Sequence, residues 1–132
     1  MQLKIVTPER EIFSGTAEMA TLPGSAGDFG ILPGHTALFS TIDIGEIFAK
    51  AENQEYYVAV GGGFAEVMDD QITILAEAAE KAIDIDAKRA EAAKAKAEAD
   101  LQSLNKEDAR FQKAETALKR ANNRIQVFKR IA

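Results

Sequence analysis

The side chains whose type and spacing most readily do chemistry in this chain are the basic residues Arg89, Lys96, Arg120 and Arg124. Arg120 and Arg124 stand four apart, which on a helix puts them on one face. Arg89 and Lys96 lie in a preceding stretch that an antiparallel partner brings alongside, because the start of one helix then faces the end of the other. A cluster of guanidinium groups suits a triphosphate or an acidic protein surface; the plainer alternative is a solvated basic face. Gly24, Gly27 and Gly30 recur every third residue, but Ile31-Leu32-Pro33-Gly34 follows them. That reads as a strand and a turn, whereas a phosphate loop requires Lys-Ser/Thr and a helix. These glycines, and Gly61-Gly62-Gly63, read as turns, bulges or points of close backbone approach. His35 is the single histidine and there are no cysteines, so a thiolate site or a shared histidine metal site is excluded and His35 suits a partner contact. Asp69-Asp70 sit at a presumed hairpin tip, where solvation accounts for them. No nucleophile–base pair is legible. Neither a catalytic residue nor a metal site is expected, and the chain is not expected to be an enzyme by itself.

The elements that must position these residues divide the chain in two. At 132 residues and 14.3 kDa, with 46% hydrophobic and 28% charged residues, it fits one compact domain or a small domain with an appendage. No apolar run reaches the roughly 20 residues that cross a bilayer, and the apolar stretch behind Met1 is too short for a secretory signal. All nine glycines and all three prolines precede Ile83, while alanine, lysine, glutamate and arginine dominate after it. The expected fold is therefore α+β: an N-terminal antiparallel β-sandwich over residues 1–83, followed by a C-terminal antiparallel helical hairpin over residues 84–132. Short strands are expected at 3–6, 18–22, 31–32, 38–41, 44–49, 56–60, 64–67 and 72–76, about eight to ten in all, with hairpin tips at Glu52-Asn53-Gln54 and Asp69-Asp70-Gln71.

In the helical half, Phe111, Ala114, Leu118, Ala121, Ile125, Phe128 and Ile131 make one apolar stripe of a helix of over twenty residues, and Ala90, Ala93, Ala97, Leu101 and Leu104 make the stripe of another. Asp84 or Asp86 can cap the first helix, and Asn105 with Asp108 resembles a capping pair for the second. A seam of mostly alanine gives modest cohesion at ~0.8 kcal/mol per buried CH2, yet alanine is the strongest helix former. A hairpin weakly glued but strongly helical suits a two-state element; a rigid hairpin docked on the sandwich is the alternative. Charge divides along the same boundary. Residues 1–83 carry four Lys/Arg against thirteen Asp/Glu, a net of −9, and residues 84–132 carry twelve against eight, a net of +4. Halves of opposite charge meet different partners.

Three runs together are specific: Gly27-Asp28-Phe29-Gly30-Ile31-Leu32-Pro33-Gly34-His35, Gly61-Gly62-Gly63-Phe64-Ala65-Glu66-Val67 and Thr73-Ile74-Leu75-Ala76-Glu77. In order and spacing, and with the two-helix tail, they closely resemble the epsilon subunit family of F-type ATP synthase over essentially the whole chain. The resemblance implies a non-catalytic rotor subunit of the central stalk, whose sandwich contacts the gamma subunit and the c-ring, with Gly30 and His35 at that contact. It implies a place at the cell membrane, peripheral, on the cytoplasmic side, reached only through the complex. It also implies a hairpin that folds down or extends along gamma, where it inhibits ATP hydrolysis and its basic second helix faces an acidic segment of the beta (and alpha) subunits of the catalytic head; the +4 charge suits that partner.

Some bacterial members bind ATP as a regulatory ligand of the folded hairpin through an Ile/Leu-Asp-x-x-Arg-Ala motif. It stands here as Ile85-Asp86-Ala87-Lys88-Arg89-Ala90, with Glu80 ahead of it and Arg120 and Arg124 matching the second-helix arginines. Lys96 replaces a family arginine, keeping the charge but losing the bidentate fork. The competing reading is a free-standing β-sandwich adaptor with a basic hairpin. A nucleic-acid partner is disfavoured by −9 on the sandwich and by helices without interleaved aromatics.

Overall fold

A computed structural model describes all 132 residues. Eight strands come first: β1 (Gln2–Val6), β2 (Glu11–Thr16), β3 (Met19–Gly24), β4 (Gly27–Ile31), β5 (Leu38–Ala51), β6 (Gln54–Met68), β7 (Gln71–Ala76) and β8 (Ala79–Lys81). A 3-10 turn (Ala82–Asp84) leads into α1 (Ala87–Ser103) and α2 (Ala109–Phe128). The strands hydrogen-bond in the order β2-β1-β7-β6-β5-β3-β4, with β8 also on β6. Every pairing is antiparallel except β1 with β7, which is parallel.

The expected breaks inside β5 and β6 are absent. One ladder runs from Leu38 opposite Val67 to Ala51 opposite Gln54, so four expected short strands are two long ones. The triple glycine lies within β6 and, as its sequence suggests, marks a bend where another backbone comes close. Gly62 and Gly63 have φ of 97° and 147°, and a Cβ on Gly63 would sit 2.1 Å from the Leu75 carbonyl oxygen. The bend lets β5 and β6 serve both layers: residues 38–42 and 63–68 join β7, β1 and β2, while 44–51 and 54–61 join β3, β4 and β8. Alternate residues of both layers point inward to one core of 20 buried residues, with Leu3, Ile5, Ile72 and Ile74 from one side and Leu22, Ile31, Ile47 and Val58 from the other. The long strands turn at Glu52-Asn53 and Asp69-Asp70, all four with φ between 52° and 63°, the left-handed pair that matches strand twist in two-residue hairpins. Asp70 does more than face water: its Oδ1 accepts from the Gly34 amide at 3.2 Å.

Asp86 caps α1, its Oδ1 accepting from the Arg89 amide at 3.1 Å. Asp108 alone caps α2. Asn105 instead accepts from the Glu107 amide within the turn. The Arg110 side chain, 2.7 Å away, and then its amide hold the Asp108 carboxyl down at about 2. Helix α2 is 20 residues long and ends at Phe128, so Ile131 leaves the expected stripe and is exposed. Between the helices the buried residues are Ala90, Ala97, Ala114 and Ala121, with Leu101, Leu104, Phe111 and Leu118 half-buried. The alanine seam is as the sequence implied.

Helix α1 packs chiefly on α2, and α2 lies on β5 and β6. The dock has a small apolar centre of Ala59, Ala82, Ile85 and Val127, flanked by Tyr57 and Phe128. Burying Ile85 and Val127 contributes about 1.5–3 kcal/mol each. Polar contacts surround it. Asn123 Nδ2 donates to the Gly45 carbonyl at 2.8 Å and lies 3.4 Å from that of Val60. Arg130 Nε donates to Glu46 at 3.0 Å, with its guanidinium 5.6 Å from the centre of the Tyr57 ring.

Two predictions follow from this packing. Gly63→Ala places a methyl group into the β7 backbone at a left-handed φ, and is expected to lower unfolding stability by about 3 kcal/mol or more in urea melts; a change under ~1 kcal/mol would show that the bend is not fixed. Asn123→Ala is expected to weaken docking by about 1–3 kcal/mol. By hydrogen exchange, α2 amides would then exchange faster while β1 and β7 amides stay protected, and unaltered α2 exchange would contradict the assignment.

Candidate functional site

Where the hairpin meets the sandwich there is a cleft of about 550 Å³, within the range of small-molecule sites. Its walls come from three places. The β1–β2 turn supplies Thr7, Glu9 and Arg10; the bend and β8 supply Gly61, Glu77 and Glu80; the helices supply Asp86, Arg89, Ala90, Arg120, Asn123 and Arg124. Six residues singled out in the sequence thus meet here: Glu80, Asp86, Arg89, Ala90, Arg120 and Arg124. Ile85 belongs to the apolar dock instead. Lys96 is exposed and does not line the cleft; seven residues beyond Arg89, it stands about 10 Å further along α1 at 1.5 Å per residue.

The arginines differ in how they are held. Arg120 Nη2 donates to the Gly61 carbonyl and to Glu77 Oε2, both at 3.0 Å, while its Nε is buried without a partner. Gly61 makes room for it, since a Cβ there would lie 3.0 Å from that Nε. Arg124 Nε is 3.9 Å from Glu80 Oε1. Arg89 and Arg10 form no ion pair. Two guanidiniums are therefore anchored by carboxylates and two are free, an arrangement able to accept the oxygens of a phosphorylated ligand.

Sequence reasoning passed over Arg10, Glu77 and Asn123. Arg10 stood in a turn far from the helices. Glu77 ended a strand with no visible partner. Asn123 did leave a signal, because asparagine favours caps over helix interiors and the pair Asn122-Asn123 sits mid-helix.

Gly30 and His35 lie elsewhere. Gly30 is on the edge strand β4, opposite Thr21, and His35 follows in an exposed loop, its Nδ1 2.7 Å from the Thr36 carbonyl. The sandwich also shows an apolar outer face that the sequence reading did not single out. Phe64 lies opposite both Thr41 and Leu75 in the ladders, and Phe39 stacks on Phe64 with ring centres 5.8 Å apart. Phe39 is 66% exposed and Leu75 54%, and Met68 continues the same face of β6.

Comparison with known proteins agrees with this division. Residues 1–82 match the family model for the ATP synthase delta/epsilon chain beta-sandwich domain, and residues 84–129 match that for its long alpha-helix domain. The ATP synthase epsilon chain of Halalkalibacterium halodurans is 42% identical over 96% of both chains. That of Geobacter metallireducens is 41% identical over 96% of this chain and 92% of its own. Among solved structures, a chain in the Euglena gracilis mitochondrial ATP synthase OSCP/F1/c-ring assembly superposes with a TM-score of 0.78 at 25% identity, covering 92% of this chain and 76% of that one. One in the Tetrahymena thermophila ATP synthase central stalk/c-ring shares the fold, with a TM-score of 0.53 at 16% identity over 99% and 95%. With both halves matched and its curated relatives matched almost end to end, the chain belongs to the ATP synthase delta/epsilon family, as a non-catalytic subunit of the epsilon type.

Proposed function

We propose that this subunit turns with the central stalk, linking gamma and the c-ring through its sandwich, and that its hairpin is a nucleotide-sensitive brake on ATP hydrolysis. Two surfaces suit the stalk contacts. The outer face that exposes Phe39, Phe64, Met68 and Leu75 around Glu66 carries the kind of apolar exposure that marks a protein interface, and the edge carrying Gly30 and His35 is open. No helix is long and apolar enough to cross a membrane, so attachment to the cell membrane, on its cytoplasmic side, is through the complex.

The observation that carries the brake is the cleft itself, in which arginines from both helices converge on residues of the sandwich. Asp86 and Ala90 are suited to the nucleoside end, and Arg89, Arg120 and Arg124 to the phosphates. Arg120 and Arg124 then exchange Glu77 and Glu80 for phosphate oxygens. Lys96 stands outside the cleft, so the site lacks the fork its family position supplies. ATP bound only to the docked hairpin favours that posture by RT ln(1 + [ATP]/Kd), about 2.7 kcal/mol at a hundredfold excess. That is comparable to the worth of Val127 in the dock. When ATP is plentiful the hairpin stays down; when it falls the helices extend toward the beta and alpha subunits, with their +4 charge drawn to an acidic surface.

Calorimetric titration of the subunit with ATP is expected to give saturable heat that Arg89→Ala reduces at least tenfold in affinity; no heat at millimolar ATP would remove the sensor. Deleting residues 84–132 and measuring hydrolysis by the assembled enzyme tests the brake separately. Faster hydrolysis is expected, and an unchanged rate would leave the helices without an inhibitory role. Co-purification with gamma distinguishes the rotor role from a free-standing adaptor.

A further inference from the structure

We propose that Arg10, on the β1–β2 turn of the sandwich, is a further phosphate-binding residue of this cleft, so that a nucleoside triphosphate held between Arg10 and Arg89 staples the hairpin to the sandwich. The inference rests on reading the cleft as a nucleotide site and adds to it a residue from the other half of the chain.

Arg10 is the sole arginine of residues 1–83, where carboxylates outnumber basic residues threefold. Its surroundings would be expected to neutralise it, yet its guanidinium makes neither an ion pair nor a hydrogen bond. Two other basic groups of the sandwich do have neighbours: Lys4 lies 3.9 Å from Glu11, and Lys81 sits 5.9 Å from the centre of the Phe13 ring. The backbone beneath Arg10 is fixed. The Thr7 amide donates to the Arg10 carbonyl at 2.9 Å, and the Arg10 amide donates to Thr7 Oγ1 at 3.3 Å, with Pro8 restricting the turn between them. Arg10 and Arg89 are both exposed, both unpaired and both line the cleft, and two such forks on its rim fit an anion that bridges them.

This location decides what the ligand controls. Contacts to Arg89, Arg120 and Arg124 alone tie α1 to α2. A contact to Arg10 exists only while the hairpin is docked. A ligand shifts an equilibrium only through its differential affinity for the two states. Arg10 therefore contributes to that difference directly, and takes the part that Lys96 is too distant to play.

The test is ATP calorimetry on the whole chain, paired with hydrogen exchange of α2 with and without ATP. Arg10→Ala is expected to bind ATP about tenfold more weakly and to lose most of the ATP-induced protection of α2, with Arg10→Lys between it and the parent. Lys50→Ala, which removes an exposed sandwich charge away from the cleft, serves as control and is expected to match the parent. If the parent and Arg10→Ala bind ATP equally, Arg10 is not a ligand although the cleft remains one. If Lys50→Ala weakens binding as much as Arg10→Ala, the effect is general charge and the staple is overturned. If the parent binds no ATP while Arg10→Ala matches it, the nucleotide reading falls and the staple falls with it.

Discussion

Everything the hairpin does depends on how little apolar surface fastens it to the sandwich. Four buried side chains, Ala59, Ala82, Ile85 and Val127, form the centre of that dock, against 20 in the core between the layers. The core holds the sandwich as one body whatever the hairpin does. The dock is small enough that a few hydrogen bonds matter to it, and these come from Arg120 and Asn123 on α2 and from Arg130 just past its end. Within the hairpin the alanine seam adds little adhesion, but alanine's helix propensity lets α1 and α2 keep their form when their neighbours change. Strong local helicity and weak tertiary adhesion are the two properties that a movable, ordered arm requires.

The sheet's bend and the cleft are built from the same residues. Gly63 brings β6 against β7, Gly62 takes a left-handed φ within the ladder, and Gly61 clears the space into which the Arg120 guanidinium fits. The Gly61 carbonyl then accepts a hydrogen bond from Arg120, and Glu77, just past the end of β7, completes its partners. The triple glycine therefore serves the fold and the site together. A side chain at Gly61 would leave the strands paired but displace the arginine, whereas one at Gly63 would break the bend itself.

Much of this was legible in the sequence because it is local. The change of composition near Ile83, the turns at Glu52-Asn53 and Asp69-Asp70, the cap at Asp86 and the alanine stripes each follow from propensity or spacing over a few residues. What was not legible depends on distant pairing. The expected strands stop at 41 and 60 because nothing nearby shows that β5 runs on through Ile42-Asp43 and β6 through Gly61-Gly62-Gly63. The stripe from Phe111 to Ile131 described the face of α2 that meets α1, and it extended past the helix because a spacing rule does not mark the stop. The second face, carrying Val127 and Asn123 to the sandwich, answers to residues some 60–80 positions earlier. The cleft was half visible for the same reason: its helical arginines share a pattern, while Arg10 and Glu77 join them only through the fold.

Lys96 shows why a motif must be located before it is interpreted. By charge alone it is a fair substitute for an arginine, and the loss of a bidentate fork is the obvious concern. Position matters first. Two turns up α1 from Arg89, Lys96 is absent from the cleft wall that Arg89, Arg120 and Arg124 share. A further arginine that lines the cleft, Arg10, is carried by the acidic half of the chain. It pairs with none of the carboxylates around it, and only the fold, not its place in the sequence, brings it to the same space as the helical arginines.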